Sequence, residues 1–162
     1  MSIVKRWMMF VISVYCLSQA AHCFAQSGSP GQIEKFYFEG NWRSADSLLT
    51  RWELTDGRRL RSDAVYLKMK GIRHYYHYEV ESAEQSLLLA FDIADRSNNL
   101  LLQTEIEEWL GHVYMKRAEP DLAIRAYEEA LAIRKTAKFS SGLSDFYLNY
   151  FLASAYFVNG EQ

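Results

Sequence analysis

The sequence predicts an all-α protein, an α-α superhelix (a solenoid) of antiparallel helix hairpins with about three and a half repeats. Apolar residues recur at the three- and four-residue spacing of a helix face along most of the chain, and no segment shows sustained strand alternation. Three alanines with similar surroundings, Ala45, Ala83 and Ala123, also follow one another at intervals of 38 and 40 residues. A period of roughly 20 to 50 residues with helical spacing inside it is typical of stacked helical hairpins.

Length and composition fit one folded domain. The chain has 162 residues, of which 49% are apolar and 23% charged, whereas a disordered chain would have fewer apolar residues and a larger net charge. The formal net charge of -2 gives no basic field for gripping nucleic acid, so no nucleic-acid partner is predicted.

The first 25 residues (1–25) predict a signal peptide. Two basic residues precede an apolar run from Trp7 to Leu17, and small residues at Cys23 and Ala25 suit cleavage after Ala25. The alternative is an uncleaved membrane anchor, but a span needs about 20 apolar residues and Gln19 interrupts this run early. We expect a periplasmic or secreted protein with residues 26–162 as its mature domain, and membrane attachment only if the segment is retained or the native chain is longer.

Both cysteines, Cys16 and Cys23, lie in this segment. The mature chain would have none, which excludes a disulfide framework, a thiolate zinc site and a nucleophilic cysteine.

Seven helices are predicted from the spacing of apolar residues and from start and stop signals. The clearest begins at Pro120 and Asp121, which suit a helix N-terminus, and ends at Arg134 and Lys135, which suit the other end of the helix dipole. Further starts are expected at Ser62-Asp63, at Ser82 (a capping box with Gln85), at Ser97 and at Ser144-Asp145. The helices cover residues 32–39, 42–54, 63–77, 81–95, 98–117, 120–136 and 145–158.

The residues around two of the aligned alanines also match one another. Gly71 and Gly111 each stand twelve residues before one, and Leu87 and Tyr127 each stand four residues after one. This order resembles the tetratricopeptide repeat, whose pattern is W-x2-L-G-x2-Y, then A-x3-F, then an Ala and a Pro. The best copy, residues 104–137, supplies Leu110, Gly111, Tyr114, Ala123, Tyr127 and Ala130. Weaker copies span about 64–97 and 30–56, and a half repeat spans 146–160.

The chain departs from the tetratricopeptide pattern in several respects. Its repeats are longer than the usual ~34 residues, the closing Pro is absent, and Glu107 stands in place of the opening Trp. Trp52 replaces a small alanine, so we expect the first hairpin to pack differently from the others. The resemblance is to the secreted or periplasmic bacterial type of the family, with longer repeats.

In such an array, small residues set the distance between helices. Gly71, Gly111 and Ala153 are expected to let a neighbouring helix approach, and Leu87 and Tyr127 are expected to fill the space between helices. A single hairpin cannot bury its apolar face, so stacking would form the core and leave a concave surface.

The resemblance also implies which residues line that concave groove. In this family the second, fifth, ninth and twelfth residues of each first helix do so. From the matching positions we predict contacts with a protein or peptide partner by Lys68, Ile72, Tyr75, Glu108, His112, Met115, Tyr147, Tyr150 and Ser154. The groove lacks the Lys/Asn/Arg set of the family's carboxylate-clamp members, so capture of a C-terminal carboxylate is not expected.

We therefore expect a non-catalytic, extracytoplasmic scaffold that binds a protein or peptide. The alternative is a truncated N-terminal sensor region of a membrane-bound bacterial signalling or transcriptional regulator, in which repeats precede a spanning helix and an output domain. The last predicted helix is apolar almost all round and no partner helix follows it. Either the native chain is longer, or this helix docks on another chain, including a second copy.

No constellation in the sequence predicts catalysis, a cofactor or a metal. His74 and His77 have the i, i+3 spacing that presents two metal ligands on one helix, but two ligands do not make a zinc site. Glu105, Glu107 and Glu108 fit a solvated helix face better than paired catalytic carboxylates. The sequence also lacks phosphate-loop, dinucleotide-binding and metalloprotease motifs.

Overall fold

Helices form all the regular structure in the described part of the chain. The computed structural model describes residues 29–57, 60–138 and 142–160, and in these ranges it has seven α-helices, a short 3-10 turn over Leu60–Ser62 and no strand. The helices are α1 (Pro30–Phe38), α2 (Trp42–Asp56), α3 (Ala64–Tyr76), α4 (Val80–Arg96), α5 (Leu100–Lys116), α6 (Pro120–Ala137) and α7 (Gly142–Gly160). The predicted all-α class is confirmed. No helix in these ranges is both long and apolar enough to cross a membrane. The predicted signal segment, residues 1–25, lies outside the described residues.

The predicted helix ends agree with the structure to within two residues, except that α7 begins three residues early, at Gly142. Asp63 caps α3 as predicted, since its carboxylate accepts from the backbone N–H of Val65 at 2.9 Å. Pro120 lies in the first turn of α6, with Arg134 in the last turn, as the helix dipole favours.

Three predicted helix starts are wrong. Ser144 and Asp145 lie inside α7, which begins at Gly142. Ser82 lies inside α4, which begins at Val80 without a side-chain cap. Ser97 ends α4 instead of beginning α5, because its hydroxyl donates to the carbonyl of Ile93 at 3.0 Å. Asn99 caps α5 in its place. A serine hydroxyl can accept at a helix start or donate at a helix end, so residue type alone does not decide between them.

The turns before the three aligned alanines share one backbone geometry. Gly40, Tyr78 and Ala118 have φ values of 73°, 63° and 58°, and each stands five residues before an aligned alanine. In each turn, the N–H of the following residue bonds to a carbonyl five residues back, which is the Schellman arrangement. The turn at Asn98, with a φ of 51°, has the same arrangement, so this geometry is shared by turns within and between the hairpins.

The order of helix contacts is consistent with a helical repeat. Each helix packs on the next one in sequence, and α3 also contacts both α1 and α5. The second helices of the hairpins meet their neighbours through alanines, because Ala83 and Ala90 of α4 and Ala123 and Ala130 of α6 are fully buried. Small side chains at these positions let the helix axes come close.

Two glycines allow the hairpins to close. A methyl group on Gly111 would lie 2.6 Å from Cδ1 and Cζ of Tyr127 on α6, and one on Gly71 would lie 2.7 Å from Cγ of Leu87 on α4. These distances are too short for real carbon contacts, so the ring and the branched side chain occupy the space that a Cβ would fill. The predicted roles of both glycines are confirmed.

No helix packs against Ala153 within the described residues. It is exposed, and α7 packs on α6 through Leu148 and Ala155, which are fully buried. Leu148 and Ala155 are seven residues apart and share one helix face, whereas Ala153 lies on another face.

The first hairpin packs differently from the others, as Trp52 predicted. The ring of Trp52 meets the ring of Tyr66 edge-on at 5.8 Å. Glu53 accepts a hydrogen bond from the Tyr66 hydroxyl at 2.9 Å and pairs with Arg73 at 3.1 Å. Long side chains therefore join α2 to α3 where the later hairpins use alanine.

Replacing Gly111 by alanine should destabilise the protein. Overpacking against the Tyr127 ring costs about 1–3 kcal/mol, and the better helix propensity of alanine offsets up to about 1 kcal/mol, so we expect a net loss of about 1 kcal/mol. Gly31→Ala is the matched control, because nothing lies within 4 Å of the added methyl, and it should not lower stability. The measurement is the free energy of unfolding in urea, followed by circular dichroism. Equal effects of the two substitutions would contradict the close contact.

Candidate functional site

Aromatic rings form a continuous row across alternate helices. The ring of Trp109 on α5 lies 5.6 Å from Phe38 of α1, 5.5 Å from Tyr75 of α3 and 5.2 Å from His112. His112 in turn lies 4.5 Å from Phe151 of α7. These five residues, the aromatic row, connect α1, α3, α5 and α7 through side-chain contacts.

A depression of about 280 Å³ opens at the α7 end of the aromatic row. This ring pocket is lined by residues of α3, α5, α6 and α7, namely Tyr75, His112, Met115, Lys116, Tyr127, Phe151 and Ser154. Its volume is just below the ~300–1,000 Å³ of most small-molecule sites, so it has room for one large side chain and its backbone. Most of the lining is aromatic ring or thioether.

His112 is neutral in the ring pocket. Its Nδ1 lies 2.8 Å from the hydroxyl of Tyr127, and the rings of Trp109 and Phe151 meet it edge-on. Burial lowers the pKa of His112 from its ordinary value of 6.5 to about 4, and burial also raises the pKa of Tyr127. Both members of this hydrogen-bonded pair are therefore uncharged at neutral pH.

Lys116 supplies the one charge in the lining of the ring pocket. Its ammonium donates to the backbone carbonyl of Tyr75 at 2.7 Å and lies 4.0 Å and 3.8 Å from the ring centres of Tyr75 and Tyr78. Burial lowers the pKa of Lys116. No carboxylate pairs with this ammonium among the residues that the structure describes.

A buried lysine joins α1 to α3 and α5. Nζ of Lys68 lies 3.2 Å from Glu34 of α1 and 2.6 Å from Glu105 of α5. The indole N–H of Trp109 donates to the other oxygen of Glu34 at 3.0 Å. These charge-assisted bonds offset the desolvation of the ammonium and fix α1 over this part of α3.

Two of the nine predicted partner contacts are interior residues. Lys68 is 4% exposed beneath α1, and Ile72 is fully buried in the core. Neither offers a surface to a partner, so the prediction is wrong for both. The family pattern treats these positions as open groove, whereas here α1 and its Glu34 cover the first of them.

The other seven predicted residues keep some access. The ring pocket brings four of them together, Tyr75, His112, Met115 and Ser154. Glu108 is half-buried on α5, and burial raises its pKa. Tyr147 and Tyr150 are exposed on α7, outside the pocket. Partner contact stays a prediction for all seven.

The contacts predicted from the sequence omit five side chains at the site. Tyr127 was predicted only to fill the space between helices, and Phe38 was not selected. Trp109, Lys116 and Phe151 fall outside the family's groove positions, so the pattern did not select them. A signal was present, since Lys116 directly follows Met115, and Phe151 stands three residues before Ser154 on the same helix face.

The paired histidines of α3 and its turn bind different carboxylates. His74 pairs with Glu79, and Nε2 of His77 lies 2.8 Å from Asp46 of α2. Across the described ranges, no group of three or more His, Cys, Asp or Glu side chains is placed to hold a metal ion.

Comparison with protein-family models, with curated proteins and with solved structures finds no match for the chain. Function therefore rests on the chemistry of the ring pocket and the aromatic row.

His112 should make the protein less stable in acid. Its pKa is lower in the folded chain than in the unfolded chain, so the unfolded chain binds more protons between about pH 6.5 and 4. The folding free energy contributed at this residue is intact above pH 6.5 and falls by up to about 3 kcal/mol as the pH drops to 4.

The test compares the pH dependence of the unfolding free energy in the native protein and in His112→Phe. The difference between the two unfolding free energies should change across this pH range. Parallel profiles for the native protein and His112→Phe would show that the imidazole is not held neutral.

Proposed function

We propose that the chain is a non-catalytic, extracytoplasmic scaffold of the tetratricopeptide type that binds a peptide segment of a protein partner. In this proposal α1, α3, α5 and α7 line the concave side of a solenoid, and the N-terminal segment directs export. The observation that carries the proposal is the ring pocket, to which alternate helices α3, α5 and α7 all contribute at the junction of two repeats.

The chemistry of the ring pocket suits a peptide side chain as an anchor. Rigid aromatic rings lose little conformational entropy when they bind, and a thioether such as that of Met115 adapts to the shape of its contact. Interface energy is concentrated where a large side chain fills an apolar pocket of this kind. The volume of about 280 Å³ matches one large side chain with its backbone, which a segment of a longer chain can supply.

The position of α1 limits where such a peptide can lie. Glu34 and Phe38 of α1 contact Trp109 and leave it 4% exposed, so that ring is closed to a peptide although Phe38 itself is exposed. Exposed side chains continue instead along α7, where Tyr150 is 62% exposed. A bound peptide would therefore extend from the ring pocket toward α7.

A bulky residue at the rim should block this pocket. Ser154 is exposed on α7 and lines the pocket, so Ser154→Trp would fill the space without changing the core. Ser47, also exposed but on α2, gives the matched control Ser47→Trp. For a peptide selected on the native protein from a random library, fluorescence polarisation should show at least about tenfold weaker binding to Ser154→Trp only. Equal affinities for both variants, or the absence of any selected peptide, would refute the proposed function.

A second surface supports contact with another chain. Phe146, Tyr150 and Phe157 are 63%, 62% and 66% exposed and lie on one face of α7, with Ala153 between them. Exposed aromatic stripes of this kind are typical of protein interfaces. We propose that this stripe packs on a second copy, or on a following helix if the native chain is a longer sensor.

Charge on this stripe should prevent self-association. We expect the native protein to dimerise with rising concentration in sedimentation equilibrium, and Phe146→Glu/Phe157→Glu to stay monomeric. Leu54→Glu is the control, because Leu54 is 83% exposed on α2, away from the stripe. A native protein that is monomeric at every concentration would count against the second copy and favour the following helix.

A further inference from the structure

We propose that the ring pocket selects peptides in which an internal Asp or Glu stands next to a large apolar residue, with the carboxylate bound by Lys116 and the apolar side chain inserted among the rings. This inference rests on the proposed function and specifies the ligand of the same pocket.

The ammonium of Lys116 has unused hydrogen-bonding capacity. A lysine ammonium has three N–H donors, and one of them is taken by the carbonyl of Tyr75 at 2.7 Å. The other contacts of the ammonium are the faces of the Tyr75 and Tyr78 rings, so its remaining donors are open to solvent or to a ligand. A partly desolvated cation without a carboxylate partner is the group that an incoming carboxylate stabilises most.

The rest of the pocket does not oppose an anion. His112 is uncharged, and its Nδ1 and the Tyr127 hydroxyl form a hydrogen bond at 2.8 Å. The carboxylates of Glu34 and Glu105 are paired with Lys68 beneath α1 rather than with Lys116. The lining itself therefore offers an entering acid one cation and uncharged side chains, while the carboxylate of Glu108 acts on Tyr127 from outside the lining.

The number of donors decides which anion fits. A C-terminal carboxylate or a phosphate is usually held by several cationic or amide groups, such as an arginine cluster. The ring pocket offers one ammonium, which matches a single side-chain carboxylate. The rings of Tyr127 and Phe151 and the thioether of Met115 form the apolar part of the lining, so the neighbouring ligand residue should be large and apolar.

The experiment is a selection of random internal peptides on the purified protein, repeated with Lys116→Met and Lys116→Arg. Peptides from the native protein should carry Asp or Glu beside an aromatic or large aliphatic residue. Lys116→Met should lose the preference for acid but keep the apolar residue, while Lys116→Arg should keep both. Lys135→Met, which removes an exposed charge from α6 outside the ring pocket, is the control and should select the same peptides as the native protein.

A double-mutant cycle then tests direct contact. Replacing the peptide's acid by its amide should weaken binding to the native protein about tenfold, and should have little effect on binding to Lys116→Met. Selected peptides without an acid, or an acid preference that survives in Lys116→Met, would overturn this inference and leave the proposed function standing. Failure to select any peptide, or peptides that bind Ser154→Trp as well as the native protein, would overturn both.

Discussion

The contact between Gly111 and Tyr127 determines the fold and the candidate site together. Because Gly111 has no Cβ, the Tyr127 ring of α6 lies directly on the backbone of α5 and is almost fully buried. In that position its hydroxyl reaches His112, one residue further along α5. The same ring forms one wall of the ring pocket and stacks near Phe151 of α7 at 6.1 Å. The site therefore has no separate scaffold, since its geometry is fixed by the packing that closes the hairpin.

The preceding hairpin shows the same packing without a site. Gly71 admits Leu87 as Gly111 admits Tyr127, and Ile72 stands where the later repeat has His112. Both Leu87 and Ile72 are fully buried and apolar, so this junction contributes only to the core. Exchanging two aliphatic side chains for a tyrosine and a histidine at equivalent positions turns a core contact into a neutral polar pair that lines the ring pocket. The functional difference between repeats thus lies in side-chain chemistry, while the backbone turns at Tyr78 and Ala118 stay equivalent.

Helix contacts that depend on residue size and on the repeat period were predicted from the sequence. Contacts that depend on an ion pair between residues distant in the sequence were not. The aligned alanines and glycines identified the helices and their close contacts because small residues at fixed intervals have few other uses. The groove positions of α3 were mispredicted, since Glu34 lies 34 residues before the Lys68 that it binds and no local pattern links them. Ser97 was wrongly predicted to begin a helix, because a serine is a local signal that fits either end of a helix. Lys116 was not predicted as a site residue because it stands one residue outside the family's groove pattern.

The charge cluster beneath α1 gives the molecule two unlike ends. The buried ammonium of Lys68 is paired with two carboxylates. Removing one of them would leave the desolvation cost of the charge only partly offset and would destabilise the fold. This pairing holds α1 on α3 and α5 and covers the Trp109 ring of the aromatic row, while Phe38 stays exposed. At the other end Phe151, a wall of the ring pocket, lies on α7, whose exposed stripe faces away from α6. A chain docked on that stripe would hold α7 against α6 and so fix the width of the pocket, which means that partner contact and peptide binding act on the same helix.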